Sequence, residues 1–216
     1  MLGMKRSKIV KDIRLPITLD LLNIIINQLP VICCSGYEST LFAAAVSVSY
    51  HVFFRVGEIA LTKPGHSHQI LGLQDVNIII KGAQYFINVH LIYSKNYQSG
   101  KGADICLYKT GSTVGPVSLL ERFLSIRPNY PGPLVCHSKG KPITRYQFTA
   151  VLQKALHSAG IVDSARYKSH SFRIGAASEA SVHGASNDKI MKLRHWKSNA
   201  YKKYIRTDVY NFGYYA

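Results

Sequence analysis

Acidic residues are scarce in this chain of 216 residues: 11 Asp and Glu stand against 27 Lys and Arg, which gives a formal net charge of +16. A domain this basic usually binds a polyanion, most often nucleic acid. The basic residues are unevenly distributed, because residues 166–206 contain ten Lys and Arg and two acidic residues, half of the whole excess. This clustering favours a nucleic-acid-binding surface over a surface that is only basic and solvated.

Cysteine is also rare, with four residues at Cys33, Cys34, Cys106 and Cys136. None of them stands in the C-x-x-C spacing that zinc sites use. The histidines His66 and His68 lie two apart on a predicted loop without nearby carboxylates, and a solvated pair explains them better than a metal site. We therefore expect no metal and no cofactor, and a reducing intracellular compartment fits this cysteine usage.

Long apolar runs are missing. The longest, residues 40–54, is interrupted by serines and a histidine and is shorter than the roughly 18 residues that a membrane span needs. It predicts a buried helix, and we expect no membrane partner. The first residues, M-L-G-M-K-R-S-K, have no apolar stretch after their charges, so no signal peptide is predicted.

The hydrophobic pattern predicts helices, then a small sheet, then helices. Residues 1–15 lack periodicity and are interpreted as a basic linker or arm, with one domain over 16–216. Thr18 is the predicted N-cap of the first helix, Pro30 its end, and Gly57 the end of the second. Helices are predicted at 19–29, 37–54, 117–126, 145–159, 170–183, 186–193 and 198–205, and strands at 69–81, 84–93 and 104–109. The expected fold class is α+β, mainly helical, with a small antiparallel sheet or hairpin.

One ordered set of residues carries the chemistry: Arg55, Lys95, His170, Arg173, His195 and Tyr204. A phosphodiester passes through a transition state with extra negative charge on its non-bridging oxygens. Guanidinium groups present forked donors that match two such oxygens. A histidine can accept or donate a proton near neutral pH, and a tyrosine can attack phosphorus. Covalent capture conserves the bond energy, so the reaction needs no cofactor and no obligatory metal.

This set resembles the catalytic domain of the tyrosine recombinases, the phage-integrase family. The matching motifs are R-V-G-E at 55–58, S-K at 94–95, H-S-F-R at 170–173, and the step from His195 to Tyr204. The form H-S-F-R-I-G-A-A with W-K-S-x-A-Y-x-x-Y-I-R is most similar to recombinases of eukaryotic mobile elements, such as Cryptons and tyrosine-recombinase retrotransposons. The resemblance covers nearly the whole chain.

The resemblance implies cleavage and rejoining of double-stranded DNA through a 3′-phosphotyrosyl intermediate, for recombination or integration of a mobile element. It implies a homotetramer on DNA, no small-molecule substrate and, in a eukaryote, a nuclear location. Tyr204 would be the nucleophile and Lys95 would protonate the leaving 5′ oxygen. Glu58 and Trp196 would support the site. The residues expected to bind DNA are Lys168, Lys192, Arg194, Lys197 and Lys202.

Several assignments have rivals. Lys101 lies in the same connection as Lys95, and Tyr201 lies three residues before Tyr204 on a similar helical face. In some relatives a tryptophan replaces the second histidine, which makes Trp196 the rival of His195. Arg55 and Glu58 also have the i,i+3 spacing of a plain ion pair.

The sequence departs from the family at two places. Arg194 stands where the family usually has glycine, and only twelve residues follow Tyr204, where many relatives have a further C-terminal helix. The N-terminal core-binding domain of relatives is not visible in these residues either. Two other functions are considered for this sequence. One is relaxation of supercoiled DNA by a type IB topoisomerase-like enzyme, which shares the residue set. The other is DNA binding by a catalytically silent relic of such an enzyme.

Overall fold

The computed structural model describes residues 12–82, 84–92, 102–193, 202 and 204–206. Within these residues the chain forms seven α-helices and three β-strands. The helices are α1 (Leu19–Ile32), α2 (Gly36–His51), α3 (Val56–Ile59), α4 (Pro116–Leu124), α5 (Arg145–Ser158), α6 (Ser171–Val182) and α7 (Asn187–Leu193). The strands are β1 (Val76–Lys81), β2 (Gln84–His90) and β3 (Asp104–Tyr108). The predicted fold class, mainly helical α+β with a small antiparallel sheet, is confirmed.

Helix α1 begins at the predicted cap, where Thr18 Oγ1 accepts the Leu21 N–H at 3.2 Å. The helix continues past Pro30 to Ile32, so the prediction that Pro30 ends it is wrong. A proline in the last turn removes one backbone donor, and the Cys33 N–H still donates to the Leu29 carbonyl at 3.0 Å. The last turn therefore keeps enough hydrogen bonds to stay helical.

Helix α2 is the centre of the core, since every residue from Leu41 to Tyr50 is buried. It packs against α1, α4 and α6, while α1 also packs against α5. A helical stretch that is buried on all sides has no exposed polar face, which explains the apolar and small residues from Leu41 to Tyr50. Helix α2 ends at His51, three residues before the predicted end, because Phe53 adopts a left-handed backbone with φ 55°. Gly57 lies inside α3, so its predicted role as a terminator is wrong.

The sheet is antiparallel in the order β1, β2, β3. Ile87 on the central strand pairs with Ile78 on one side and Leu107 on the other. The first strand starts at Val76 rather than at residue 69, because residues 73–75 form a 3-10 turn. In that turn the Asp75 carboxylate accepts the Gly72 N–H at 2.8 Å.

The C-terminal helices follow the predictions within one residue at each end. Thr144 and Gln147 form the reciprocal cap of α5, and Ser186 Oγ accepts the Lys189 N–H at 3.2 Å at the start of α7. The predicted helix at 198–205 falls largely outside the described residues. None of the described helices has the length and apolar character required to cross a membrane.

Candidate active site

Among the predicted site residues that the structure describes, Arg173, in the first turn of α6, is the most enclosed, with 4% of its surface exposed. Its Nη1 donates to the Phe53 carbonyl at 2.6 Å, and its guanidinium carbon lies 5.5 Å from the centre of the Tyr204 ring. Burial lowers the pKa of Arg173 to about 10; the charge of Arg55 also lowers it, whereas Glu58 and Tyr204 raise it. The side chain therefore stays cationic at neutral pH.

The Phe53 carbonyl reaches Arg173 because of an unusual backbone. Phe53 is the one non-glycine residue with positive φ among those that the structure describes, and a bulky side chain in this conformation is strained. The left-handed turn ends α2 and places the Phe53 carbonyl against a guanidinium 120 residues away in sequence. The buried Phe53 ring, 4% exposed, offsets the strain by packing in the core.

Arg55 immediately precedes α3 and is held by Glu58. The buried Glu58 carboxylate accepts the Arg55 N–H at 2.7 Å through Oε2 and the Arg55 Nη1 at 3.2 Å through Oε1. The plain i,i+3 ion pair that the spacing suggested is therefore present. It leaves 29% of the Arg55 side chain exposed, and the Arg55 charge lowers the pKa of both Arg173 and His170. Glu58 thus anchors an arginine whose charge acts on Arg173 and His170.

His170 lies directly before α6 and is partly buried. Burial is the main cause that lowers the pKa of its imidazole, followed by the charges of four arginines, in the order Arg14, Arg173, Arg145 and Arg55. A histidine among so many cations is neutral at pH 7, which is the form that accepts a proton. The same four guanidiniums form a strongly positive site that suits a phosphate group.

Tyr204 is partly buried and packs against the core as well as against Arg173. Its carbonyl lies 3.2 Å from the hydroxyl of Ser178, a buried residue of α6. The Arg206 N–H donates to the same Ser178 oxygen at 2.7 Å. The structure therefore brings Arg55, His170, Arg173 and Tyr204 together, and α6 supplies most of the framework that holds them.

Other predicted residues fall outside the described part of the chain. These are Lys95 and its rival Lys101, His195 and Trp196, Tyr201, and the DNA-binding candidates Arg194 and Lys197. Lys192 belongs to α7, but its side chain is not described. Lys168 and Lys202 are exposed, and Lys168 lies in the turn that leads into α6, two residues before His170. His66 and His68 stack with ring centres 6.0 Å apart, and no group of metal-binding side chains occurs among the described residues.

Sequence reasoning missed two arginines of the site. Arg14 lies in the residues interpreted as a linker, yet it is half-buried, its charge lowers the pKa of His170, and Tyr204 helps to raise the pKa of Arg14 itself. Arg145 is the first residue of α5 and is exposed beside the same histidine. No local pattern marks Arg14, because residues 12–15 belong to no helix or strand. The capping signal around Thr144 locates the start of α5 but does not reveal which way Arg145 faces.

The arrangement invites comparison with known proteins. The sequence pattern of the phage integrase family matches residues 83–209, which is more than half of the chain. The chain belongs to the phage integrase family. This family match includes His170, Arg173 and Tyr204, whereas Arg55 lies before it. No curated protein matches the sequence significantly.

Solved structures of tyrosine recombinases have the same fold. XerH site-specific recombinase, in a post-cleavage complex with a palindromic difH substrate, superposes with a TM-score of 0.64 at 14% identity, over 93% of this chain and 52% of its own. A lambda integrase dimer bound to a COC′ core site gives 0.63 at 16% identity, over 94% and 50%. The Tn1549 transposon integrase with circular-intermediate DNA gives 0.55 at 12% identity, over 95% and 64%.

This member of the phage integrase family thus has the catalytic-domain fold of tyrosine recombinases. The chain spans about half the length of the XerH and lambda integrase chains that it matches. At these identities the likeness shows the fold alone.

Proposed function

We propose that this protein is a DNA strand transferase that cleaves one strand through a covalent bond to Tyr204. The Tyr204 oxygen attacks the scissile phosphorus, and the bond from phosphorus to the 5′ oxygen breaks. The phenolic proton passes to His170, and the departing 5′ oxygen takes a proton from Lys95. The products are a 3′-phosphotyrosyl enzyme and a free 5′ hydroxyl. The 5′ hydroxyl of a second strand can then attack the phosphorus, which rejoins the DNA and releases Tyr204.

Arg55 and Arg173 clamp the non-bridging oxygens in this proposal. Both are cationic and beside each other, and Arg173 is held by burial and by the Phe53 carbonyl. Donors that are fixed before the reaction stabilise developing charge without reorganising. His195, with Trp196 as its rival, would add a further donor.

One observation carries the proposal most strongly: the Arg173 guanidinium lies 5.5 Å from the Tyr204 ring, next to a histidine whose pKa is lowered by burial and by four arginines. A nucleophile, a neutral base and cations for an anionic transition state are the groups that phosphoryl transfer requires. An ordinary surface ion-pair cluster does not need a neutral histidine among arginines.

The wider biological setting belongs to the same proposal. The catalytic domain occupies residues 16–216, acts on double-stranded DNA as a homotetramer, and serves recombination or integration of a mobile element. The solved relatives named above are bound to DNA, and one belongs to a transposon. Lys168, Lys192, Arg194, Lys197 and Lys202 would contact the phosphate backbone around the site. In a eukaryotic host the protein would act in the nucleus.

A nicked suicide substrate tests the cleavage step. The wild-type protein should form a protein–DNA adduct that resists denaturation, whereas Tyr204→Phe should form none. Tyr201→Phe is the matched control and should keep the adduct. An adduct that persists in Tyr204→Phe and disappears in Tyr201→Phe would transfer the role of nucleophile to Tyr201.

Product analysis separates the alternatives. Strand exchange between two duplexes supports recombination, whereas relaxation of supercoiled DNA without exchange supports a topoisomerase-like enzyme. Binding without any adduct, on every substrate, supports a silent DNA-binding protein and contradicts the proposal. Binding should weaken steeply with salt, by roughly 10³-fold or more between 50 and 200 mM if six or more phosphates are contacted.

A further inference from the structure

The segment of residues 12–17, here called the N-terminal segment, lies directly along α6. The Leu15 N–H donates to the Arg166 carbonyl at 3.2 Å, and the Ile17 N–H donates to the Ser171 carbonyl at 3.0 Å. The two backbones are so close at Gly175 that a Cβ on this residue would lie 1.6 Å from the Ile17 carbonyl oxygen. The N-terminal segment is therefore built onto the helix that carries Arg173.

Asp12 joins two arginines at the start of this segment. Its Oδ1 and Oδ2 accept from Nε and Nη2 of Arg14, each at 2.8 Å, and Oδ2 lies 3.5 Å from Nη2 of Arg206. The hydrogen bond from Arg14 is the main cause that lowers the pKa of Asp12 to about 2, and the charge of Arg206 contributes. The carboxylate is therefore ionised at every pH at which the protein would work.

Arg206 is held on its other side by a buried hydroxyl. The backbone N–H of Arg206 donates to Ser178 Oγ at 2.7 Å. The same hydroxyl lies 2.7 Å from the Ile174 carbonyl and 3.2 Å from the Tyr204 carbonyl. Ser178 has no exposed surface. Arg206 is thus tied to α6 by its backbone and to the N-terminal segment by its side chain.

We infer that Asp12 is a positioning residue for Tyr204, which acts through Arg206 from a segment at the opposite end of the sequence. The inference rests on the proposed function of Tyr204 as nucleophile. Asp12 and Arg206 are 194 residues apart in sequence. Their pairing connects the N-terminal segment with the residues after Tyr204 and holds the Arg206 backbone, two residues beyond the tyrosine, against α6. A phenol that must approach phosphorus in line depends on such backbone placement, because a misplacement of about 1 Å can cost about 100-fold in rate.

The first experiment measures cleavage and DNA binding separately, with the full chain and a nicked suicide substrate. Asp12→Ala and Asp12→Asn should slow single-turnover adduct formation about tenfold, while Asp12→Glu restores most of the rate. The Kd for uncleaved DNA should stay the same or fall slightly, because a negative charge is removed. Asp20→Ala is the matched control: it removes one exposed carboxylate at the start of α1 and should leave the rate unchanged.

Wild-type cleavage by Asp12→Asn would overturn the inference. Equal loss in Asp20→Ala would also overturn it, because the effect would then be one of net charge. A higher Kd with an unchanged cleavage rate would show that Asp12 contributes to DNA binding and does not position the tyrosine. This result would also contradict the inference.

A second experiment needs no DNA. The Arg206 amide, which is bound to Ser178, should exchange with solvent several-fold faster in Asp12→Asn than in the wild type, while amides in α5 keep their rates. If the wild type makes no adduct on any substrate, the proposed function fails, and amide exchange alone then decides whether Asp12 holds this segment. An unchanged Arg206 amide would show that it does not.

Discussion

The Tyr204 ring packs 5.5 Å from the guanidinium carbon of Arg173, so the predicted nucleophile and a predicted phosphate-binding group are neighbours. An interaction of this kind orients the ring and keeps the phenol close to a cation. Because Arg173 is itself buried and bonded to the Phe53 carbonyl, the tyrosine lies against a fixed group rather than a flexible one.

The pKa of His170 should rise when Arg14 is removed. A nearby cation disfavours the protonated imidazole, and Arg14 has the largest charge effect on this histidine after burial. In the wild type the His170 ring resonances should titrate below pH 6.5, and in Arg14→Ala they should titrate at higher pH, as measured by NMR on the free protein. Arg122→Ala, an exposed arginine of α4, should leave the titration unchanged; a shift of the same size there would contradict the assignment.

Glu58 should matter through Arg55. Glu58→Ala removes the acceptor of both the Arg55 N–H and its guanidinium, and we expect about 1–3 kcal/mol of lost stability and roughly a 10- to 100-fold slower adduct formation. Urea denaturation and the suicide substrate measure the two effects. Glu38→Ala removes a similar bond, to the exposed Cys34 N–H at 2.8 Å, and should leave cleavage intact. Full activity in folded Glu58→Ala would show that Arg55 needs no anchor.

Gly175 should tolerate no side chain. A Cβ there would overlap the Ile17 carbonyl oxygen at 1.6 Å, so the N-terminal segment must move away from α6. We expect Gly175→Ala to lower the free energy of unfolding by about 1–3 kcal/mol or more. Gly36→Ala is the control, since no atom lies within 4 Å of its Cβ position, and it should be neutral or slightly stabilising. Equal stability of the two variants would contradict the close contact.

Arg127 should be a stability residue without a catalytic role. Its buried guanidinium donates to the carbonyls of Pro128, Tyr130, Pro133 and Leu134, which closes the proline-rich loop after α4. Lysine cannot reproduce this fork, and Arg127→Lys should cost about 2 kcal/mol in thermal or denaturant unfolding. The folded variant should still form the adduct at the wild-type rate. Arg122→Lys serves as the exposed control.

Much of the fold was predictable because its signals are local. Thr18 caps the first helix as predicted, since a side-chain oxygen next to a free N–H needs only a few residues of sequence. Pro30 and Gly57 misled the prediction for the opposite reason. Whether a proline or a glycine ends a helix depends on how the surrounding turn packs. Here Pro30 lies inside α1 and Gly57 lies inside α3.

The candidate site divides in the same way. The motifs predicted Arg55, His170, Arg173 and Tyr204 as one set, and the structure brings these four together. Lys95 and His195 lie outside the described residues and stay predictions. Arg14 and Asp12 were missed, because a short segment without periodicity gives no sign of where it lies.

By itself the sequence determined the residue types, their order, the strong positive charge and the alternation of helical and extended segments, because each of these is written in composition or in neighbours a few positions apart. Only the tertiary structure decided that Phe53 turns its carbonyl to Arg173, that the charges of four arginines lower the pKa of His170, and that Asp12 reaches Arg206 across 194 residues. These relationships depend on how α2 and α6 pack and on the absence of a side chain at Gly175. Contacts between residues far apart in sequence arise only when the core closes around them.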